Sequence, residues 1–553
     1  MGAALPGEPA CPTLAQSSRA LISRLNSGDA TPRPPRNTEK ESGMTAVSND
    51  AFATALAARR AGASVVVPHV IGGREHLEGE LITREDPAKP SVIVSGCHDA
   101  PAELVRRAVE TSRAAQRAWA QVPLLTRIEH VSRAIDYVAD AAEEWAVRVA
   151  LEIGKPYGAA RAEGLEVAEI LRCYTEYAAR AGAFEDERSS DPTALANDSV
   201  LRPYGVFGVI TPFNYPIVQA AGPTIAALLA GNGVVVKTSH QGPWSGQAVY
   251  EMCAAMDLPA GLVNIVHGAD EPGKALVASD VDGISFTGSV AAGKSIMRTF
   301  AEGPYARPVI AEMGGKNPVI VTDTADLEAA ADGIVFSAFD LGGQKCSALS
   351  RVLVTPGAHD RLVELVAERA RRVVVADPAD PDAFAGPVVS SEALARFERI
   401  VAASRDAGFD VHGGERLDGD GYFVRPAVVS SVPAEHELST TEHFLPFLTI
   451  SRVSSFDEAL RVANETPMGL TAGIYTGDLD EARTFLYGVE AGCVDVNVPG
   501  HATTGWWPGP QTFGGWKASG STGKQTLGKW YWQQFARQQA RKLPAELEHL
   551  LTY

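Results

Sequence analysis

Cys346 lies in the run Phe339-Asp340-Leu341-Gly342-Gly343-Gln344-Lys345-Cys346-Ser347-Ala348, and a carboxylate, Glu312, stands upstream of it by about one strand and one helix. A thiolate attacks carbonyl carbon readily, and the small residues around Cys346 leave its sulfur reachable. A separate carboxylate can then activate the water that cleaves the resulting thioester. Taken alone, each residue has a plainer reading: a lone cysteine is more often a small buried hydrophobe, and a lone glutamate sits on the surface.

The elements that must position these groups can be read from periodicity. From residue 205 onward, short apolar runs at 206–210, 234–236, 263–266 and 284–286 alternate with helical stretches, which predicts a parallel, doubly wound α/β sheet. Such a sheet takes its ligand beyond the carboxyl ends of the strands, where Asn214, Lys237 and Gly288 fall. Residues 102–118 and 125–153 carry apolar side chains at helical spacing and read as flanking amphipathic helices. A second alternating block follows Gly314, with strands at 318–321 and 448–450 and helices at 327–339 and 361–372. The run Gly288-Ser289-Val290-Ala291-Ala292-Gly293 opens a helix directly after a strand, a place where backbone N–H groups meet a pyrophosphate. The chain has no G-x-G-x-x-G fingerprint.

Composition narrows the class. The chain has 553 residues and 45% hydrophobic content, enough for two or three domains with a large core. Its net charge of −18 disfavours nucleic acid and anionic membranes, both of which select basic surface. The six cysteines are scattered without a C-x-x-C pair, so neither a disulfide framework nor a zinc knuckle is expected, and a reducing, cytoplasmic setting fits. No segment reaches the ~20 apolar residues that span a bilayer. Residues 1–50 are rich in Pro, Ser, Thr, Asn and charge and read as a disordered leader, which a start codon assigned ahead of Met44 would also explain. His436 and His443, with carboxylates nearby, have no metal-ligand spacing, and no metal is expected.

Five motifs in order carry a family likeness: Pro212-Phe213-Asn214-Tyr215-Pro216, Phe286-Thr287-Gly288-Ser289, Glu312-Met313-Gly314-Gly315-Lys316-Asn317-Pro318, Gly343 to Ala348, and Glu442-His443-Phe444-Leu445-Pro446. Over residues 66–542 the chain resembles the aldehyde dehydrogenase superfamily. Its cysteine loop is most similar to the glutamate-semialdehyde branch, the 1-pyrroline-5-carboxylate dehydrogenases. The resemblance implies an oxidoreductase that turns an aldehyde into a carboxylic acid with NAD or NADP, through a cysteine thiohemiacetal and thioester. Cys346 would be the nucleophile and Glu312 the base, while the Asn214 amide and the Cys346 N–H would face the oxyanion. Cofactor contacts would come from Thr211, Pro212, Phe213, Lys237, His240, Gly288, Ser289, Gly293, Glu442 and Phe444. Substrate contacts would come from Ser347, Gly505, Trp506, Trp507 and Phe513.

The same likeness implies a Rossmann-like cofactor domain over residues 51–181 and 204–313, a catalytic α/β domain over 314–525, and a small β element over 182–203 and 526–553. That element would join copies into a homo-oligomer, with its strand at 530–541 and a polar tail after it. Proline catabolism is the setting the branch implies, with glutamate 5-semialdehyde as substrate. Three residues depart from the pattern. His240 replaces a frequent acidic residue and leaves NADP open, Trp506 stands where a small residue is usual, and Gly222 lies where many general aldehyde dehydrogenases carry an aromatic. A general or aromatic aldehyde dehydrogenase is therefore the rival within the class, and a silent nucleotide-binding or structural protein on the same fold is the rival outside it.

Overall fold

The computed structural model describes residues 49–181, 189–190, 195–505, 508–509, 511–544 and 546–547. Residues 1–48 of the expected leader, together with Trp506 and Trp507, lie outside them. The leader's boundary moves: helix Asn49–Ala61 already begins at residue 49, because Phe52 and Leu56 give it a buried face.

Short β-branched runs alternating with helices build two large sheets. In the first, the order is Val309–Met313, Gly283–Gly288, Val206–Ile210, Gly233–Lys237 and Val263–Val266, all parallel, with the hairpin His69–Ile71 and Arg74–His76 added antiparallel at one edge. Strands Gly233–Lys237 and Val263–Val266 are buried at every residue, as expected where helices cover both faces. The chain winds one way from Val206–Ile210 and then returns to its other side at Gly283–Gly288. That reversal leaves a crevice beyond Ile210 and Gly288.

The second sheet runs Asp410–Gly413, Ala427–Ser430, Phe447–Arg452, Leu349–Val354, Asn317–Val321, Thr471–Tyr475 and Cys493–Val496, with only the first strand antiparallel. Strand Val309–Met313, which the apolar pattern did not reveal, ends the first sheet, and Asn317–Val321 lies inside the second. Residues 314–316 are all that separates them, so Glu312 sits where the two sheets meet.

Two expectations shift. The helical stretch at 125–153 is divided at Arg133 into Leu124–Ser132 and Ala134–Ile153. The carboxyl-terminal strand is Ala536–Pro544 rather than 530–541, and the polar tail begins only after it. The reason for the second shift is burial: Tyr531, Trp532 and Phe535 are in the core, with the Phe535 ring 4.7 Å from that of Phe207, and residues 532–535 form a short 3₁₀ turn there. The strand that follows pairs antiparallel with Leu195–Pro203 and faces solvent, which suits its Arg and Lys residues, and Arg541 pairs with Asp198. No helix among the described residues is long and apolar enough to cross a membrane.

One ion pair ties several of these helices together. Lys155, fully buried after helix Ala134–Ile153, places its Nζ 2.6 Å from Glu163 Oε2 on helix Tyr157–Ala181 and 3.5 Å from the centre of the Tyr215 ring. The other oxygen of Glu163 accepts the Ile217 and Val218 N–H groups at 2.8 and 3.2 Å, which caps helix Val218–Leu229. Removing one partner of a buried pair costs about 3–5 kcal/mol, because the other charge is left stranded. Lys155→Met should lower the unfolding free energy by about that amount, and adding Glu163→Gln should recover part of it. Urea titration of the three proteins checks this; an unchanged midpoint in Lys155→Met would show that the pair contributes nothing.

Candidate active site

A cavity of about 920 Å³ opens beside the junction of the two sheets, with Cys346, Ser347 and Glu312 on its wall. The loop that delivers Cys346 is built from unusual backbone. Leu341, Gly342 and Gly343 all have positive φ, at 53°, 59° and 67°, so the chain turns sharply after helix Leu327–Phe339. Leu341 bears this conformation at some cost, as a non-glycine residue in the left-handed region. At Gly343 a side chain is excluded outright, since a Cβ would collide with the Leu445 carbonyl. The loop is then pinned on both sides. The Gln344 amide bonds the Leu341 carbonyl and accepts the Val389 N–H at 2.9 Å. The Asn317 amide donates to the carbonyls of Cys346 and Ala348 at 2.7 and 2.8 Å. The sulfur is thus presented by a rigid loop.

Glu312 rests against another backbone segment. Its Oε2 accepts the Gly515 N–H at 3.3 Å, and burial pushes its carboxyl up to about 8. Glu442 accepts the Gly315 N–H at 3.0 Å and packs where a Cβ at residue 314 would stand, which is why that position is glycine. Burial raises Glu442 to about 7, against the pull of the Gly315 N–H and of Lys316. Burial also pushes the Cys346 thiol up to about 12, with Glu442 and Glu312 adding to it and the Ser347 and Cys346 N–H groups opposing it. Three acidic groups therefore converge, each held above its ordinary range by burial, so Cys346 and Glu312 rest largely neutral near neutral pH while Glu442 is part ionised.

The expected cofactor residues gather at the crevice of the first sheet. Thr211 follows strand Val206–Ile210; its N–H donates to the Lys237 carbonyl at 3.2 Å, and its hydroxyl is buried without a hydrogen-bond partner. Such an orphaned hydroxyl fits a site completed by a ligand. Pro212 and Phe213 continue that loop, and the Phe213 ring meets Phe444 edge to face at 5.8 Å, joining the two sheets' loops. Phe444 itself has φ of 57°. Lys237 ends its buried strand, and burial lowers it to about 8. Burial, then Lys237, keeps His240 below its ordinary range, so it stands neutral. Ser289 caps helix Val290–Ala301 by accepting the Ala292 N–H at 3.2 Å, Gly288 ends the strand before it, and Gly293 packs under Met313.

Asn214 is buried one residue before Tyr215, which lines the cavity. Gly505 and Phe513 line it too, and the Ser347 carbonyl accepts the Thr503 hydroxyl at 2.8 Å. The expected roles of Trp506 and Trp507 fall outside the described residues. His436 caps the turn Glu437–Thr440 through its ring nitrogen, and the His443 Nε2 meets the Leu438 carbonyl at 3.3 Å, so both have structural partners. Among the described residues no group of three or more His, Cys, Asp or Glu could hold a metal ion. Sequence reasoning missed Glu166, Tyr215 as a wall residue, Gln219, Lys345 and His501, all of which line the cavity. A signal existed for Glu166: it lies three residues after Glu163 and four before Ile170 on one helix face.

The chain belongs to the aldehyde dehydrogenase family, whose model matches residues 75–540. As a member it is an enzyme, an NAD(P)-dependent aldehyde dehydrogenase. An N-succinylglutamate 5-semialdehyde dehydrogenase of Novosphingobium aromaticivorans is 36% identical over 447 residues, covering 80% of this chain and 92% of that protein. A 1-pyrroline-5-carboxylate dehydrogenase of Geobacillus thermodenitrificans is 32% identical over 485 residues, covering 86% and 93%. Among solved structures, a 1-pyrroline-5-carboxylate dehydrogenase from Thermus with bound NAD superposes with a TM-score of 0.86 at 31% identity, covering 93% of this chain and 99% of that one.

Cys346 is partly accessible, whereas Cys97, Cys173, Cys253 and Cys493 are buried. With its thiol raised to about 12, the thiolate fraction in the free protein is small at neutral pH and grows about tenfold per pH unit. Iodoacetamide should therefore modify Cys346 slowly near pH 7 and steadily faster up to pH ~10, without a plateau. Mass spectrometry of the modified peptide checks this, and a plateau below pH ~8 would show a thiolate already formed at rest.

Proposed function

We propose that this enzyme oxidises glutamate 5-semialdehyde to glutamate with NAD or NADP, using Cys346 as nucleophile, Glu312 as base and Asn214 as oxyanion donor. The observation that carries the chemistry is that Cys346 and Glu312 face the same cavity at the junction of the two sheets. Thr211, Lys237, Ser289, Glu442 and Phe444 would hold the dinucleotide, with residues 51–181 and 204–313 as its domain and 314–525 as the catalytic domain. When bound, the nicotinamide accepts the hydride that turns a Cys346 thiohemiacetal into a thioester.

The remaining work falls to this chain. Cys346 Sγ gives up its thiol proton to water and bonds the aldehyde carbon, and the oxygen that becomes negative is met by the Asn214 amide and the Cys346 N–H. Glu312, ionised, takes a proton from water as that water's oxygen bonds the thioester carbon. The carbon–sulfur bond then breaks, Glu312 passes its proton to the departing sulfur, the acid leaves, and Cys346 and Glu312 are restored. A carboxyl resting near 8 suits this exchange, since it can both take and release a proton near neutral pH. The ribbon of Leu195–Pro203 and Ala536–Pro544 would join copies into a homo-oligomer.

The substrate reading is supported by two kinds of observation. The relatives above are semialdehyde dehydrogenases, and Ser347, Gly505 and Phe513 share the cavity wall with Cys346. The rival reading, a bulkier or aromatic aldehyde, draws on Gly222, where a Cβ would meet nothing nearer than Ile170 Cδ1 at 4.0 Å.

Two experiments test these statements. Glu312→Gln should release one equivalent of reduced cofactor per site in a burst and then stall at the thioester, while Cys346→Ala should show neither phase and lose at least ~10³-fold in turnover. Steady turnover without a burst in Glu312→Gln would assign the base elsewhere. For the substrate, kcat/KM should be higher for glutamate 5-semialdehyde than for benzaldehyde; the reverse order would end the glutamate-semialdehyde reading.

A further inference from the structure

Five carboxylates line the cavity, and four of them are already engaged. Glu163 is paired with Lys155, Asp340 with Lys345, Asp332 with Arg369, and Glu312 accepts the Gly515 N–H. The fifth, Glu166, has no hydrogen bond or ion pair among the described residues. It projects from the same face of helix Tyr157–Ala181 as Ala159, Ala162 and Ile170, which also line the cavity. The two alanines leave its carboxylate within reach of whatever enters.

Lys155 and Lys345 favour the ionised form of Glu166 from a distance, but each is bonded to another carboxylate. Lys155 is held by Glu163 at 2.6 Å. Lys345 is held by Asp340, which together with Tyr215 keeps it charged against its burial. His501, the remaining basic group on the wall, is kept below its ordinary range by burial and then by Lys345, and stands neutral. Burial, reinforced by nearby Glu163, pushes Glu166 up to about 7. A carboxylate placed this way gains most from an incoming cation that brings its own N–H donors.

We infer that Glu166 is a specificity residue that receives a positively charged nitrogen of the substrate, so that the enzyme selects aldehydes bearing an ammonium group over neutral or N-acylated ones. The inference rests on the aldehyde-oxidising reading of Cys346 and deepens it. Glutamate 5-semialdehyde in its open form carries such a group. An N-succinylated semialdehyde has an amide nitrogen and an added carboxylate instead, which Glu166 would repel.

The test compares two aldehydes of nearly equal size, 3-aminopropanal and butanal, by kcat/KM in the full-length enzyme with NAD or NADP. Wild type should favour 3-aminopropanal, and Glu166→Gln should cut the ratio of the two values by about 10- to 100-fold, the usual worth of a hydrogen bond to a charged partner. Glu166→Asp, which keeps the charge, should retain a preference for the amine. Inhibition of wild type supplies a measurement that needs no variant: propylammonium chloride should compete with butanal, and 1-propanol at equal concentration should not. A ratio unchanged in Glu166→Gln, a wild-type preference for butanal, or equal inhibition by the two propyl compounds would overturn the inference. Butanal oxidation without amine preference would do so while leaving the role of Cys346 intact. Failure to oxidise any aldehyde, glutamate 5-semialdehyde included, would overturn both.

Discussion

The buried pairing of Lys155 with Glu163 is the constraint on which the site hangs. Two dehydrated charges hold each other in place only while both remain, and each also organises something further. Glu163 fixes the first turn of helix Val218–Leu229, one wall of the cavity. Lys155 lies against the face of Tyr215, and Lys345 approaches the same ring at 5.9 Å. Tyr215 thus interacts with two ammonium groups, each attracted by the negative face of the ring. One of those lysines precedes Cys346 and the ring follows Asn214, so the spacing between Cys346 and Asn214 is inherited from buried charges on neighbouring elements.

Electrostatics at the reacting end follow a different logic. Cys346, Glu312 and Glu442 share a low-dielectric space, and Lys316, the nearby base that attracts Glu442, is itself lowered by burial to about 7. Burial works against charge on each of these groups. A thiol in that state is protected from adventitious oxidation and alkylation, because the reactive form is the thiolate. Reactivity then has to come with occupancy, as a ligand brings positive charge or displaces water around the carboxyls.

Much of the frame was legible because its strands are short β-branched runs bounded by helices. Val206–Ile210 and Val263–Val266 could be delimited to the residue. Val309–Met313 could not, since Glu and Ala interrupt the run and only its sheet neighbour defines it as a strand. Thr471–Tyr475 hid for a similar reason, with Ala and Gly in its centre. The cysteine and glutamate that share the cavity wall, and the loops at the crevice, could be singled out from motifs. The fixed position of Cys346 was not, because it depends on Asn317 and Gln344 bonding backbone carbonyls, an arrangement that no local pattern encodes. Glu166 was hidden by its company: one carboxylate among several on an amphipathic helix becomes distinctive only when its neighbours are seen to be paired. Trp506 and Trp507, expected from the sequence to meet substrate, fall outside the described residues.

The antiparallel ribbon carries a consequence for how the chain reaches this structure. Arg541 meets Asp198 at a sequence separation of 343, and the Asn232 amide, whose oxygen accepts the Gly205 N–H, also bonds the Phe535 carbonyl. Strand Leu195–Pro203 leads directly into Val206–Ile210, the first strand of the parallel sheet. During synthesis, then, that sheet can assemble while its amino-terminal ribbon strand waits for a partner far downstream in the chain. Contacts so distant in sequence form late, and a strand edge left open meanwhile is prone to pair with another chain. The mixed charges and polar residues of Ala536–Pro544 place the hydrophobic burden of closure on Tyr531, Trp532 and Phe535 instead, so the segment that completes the ribbon also seals the core.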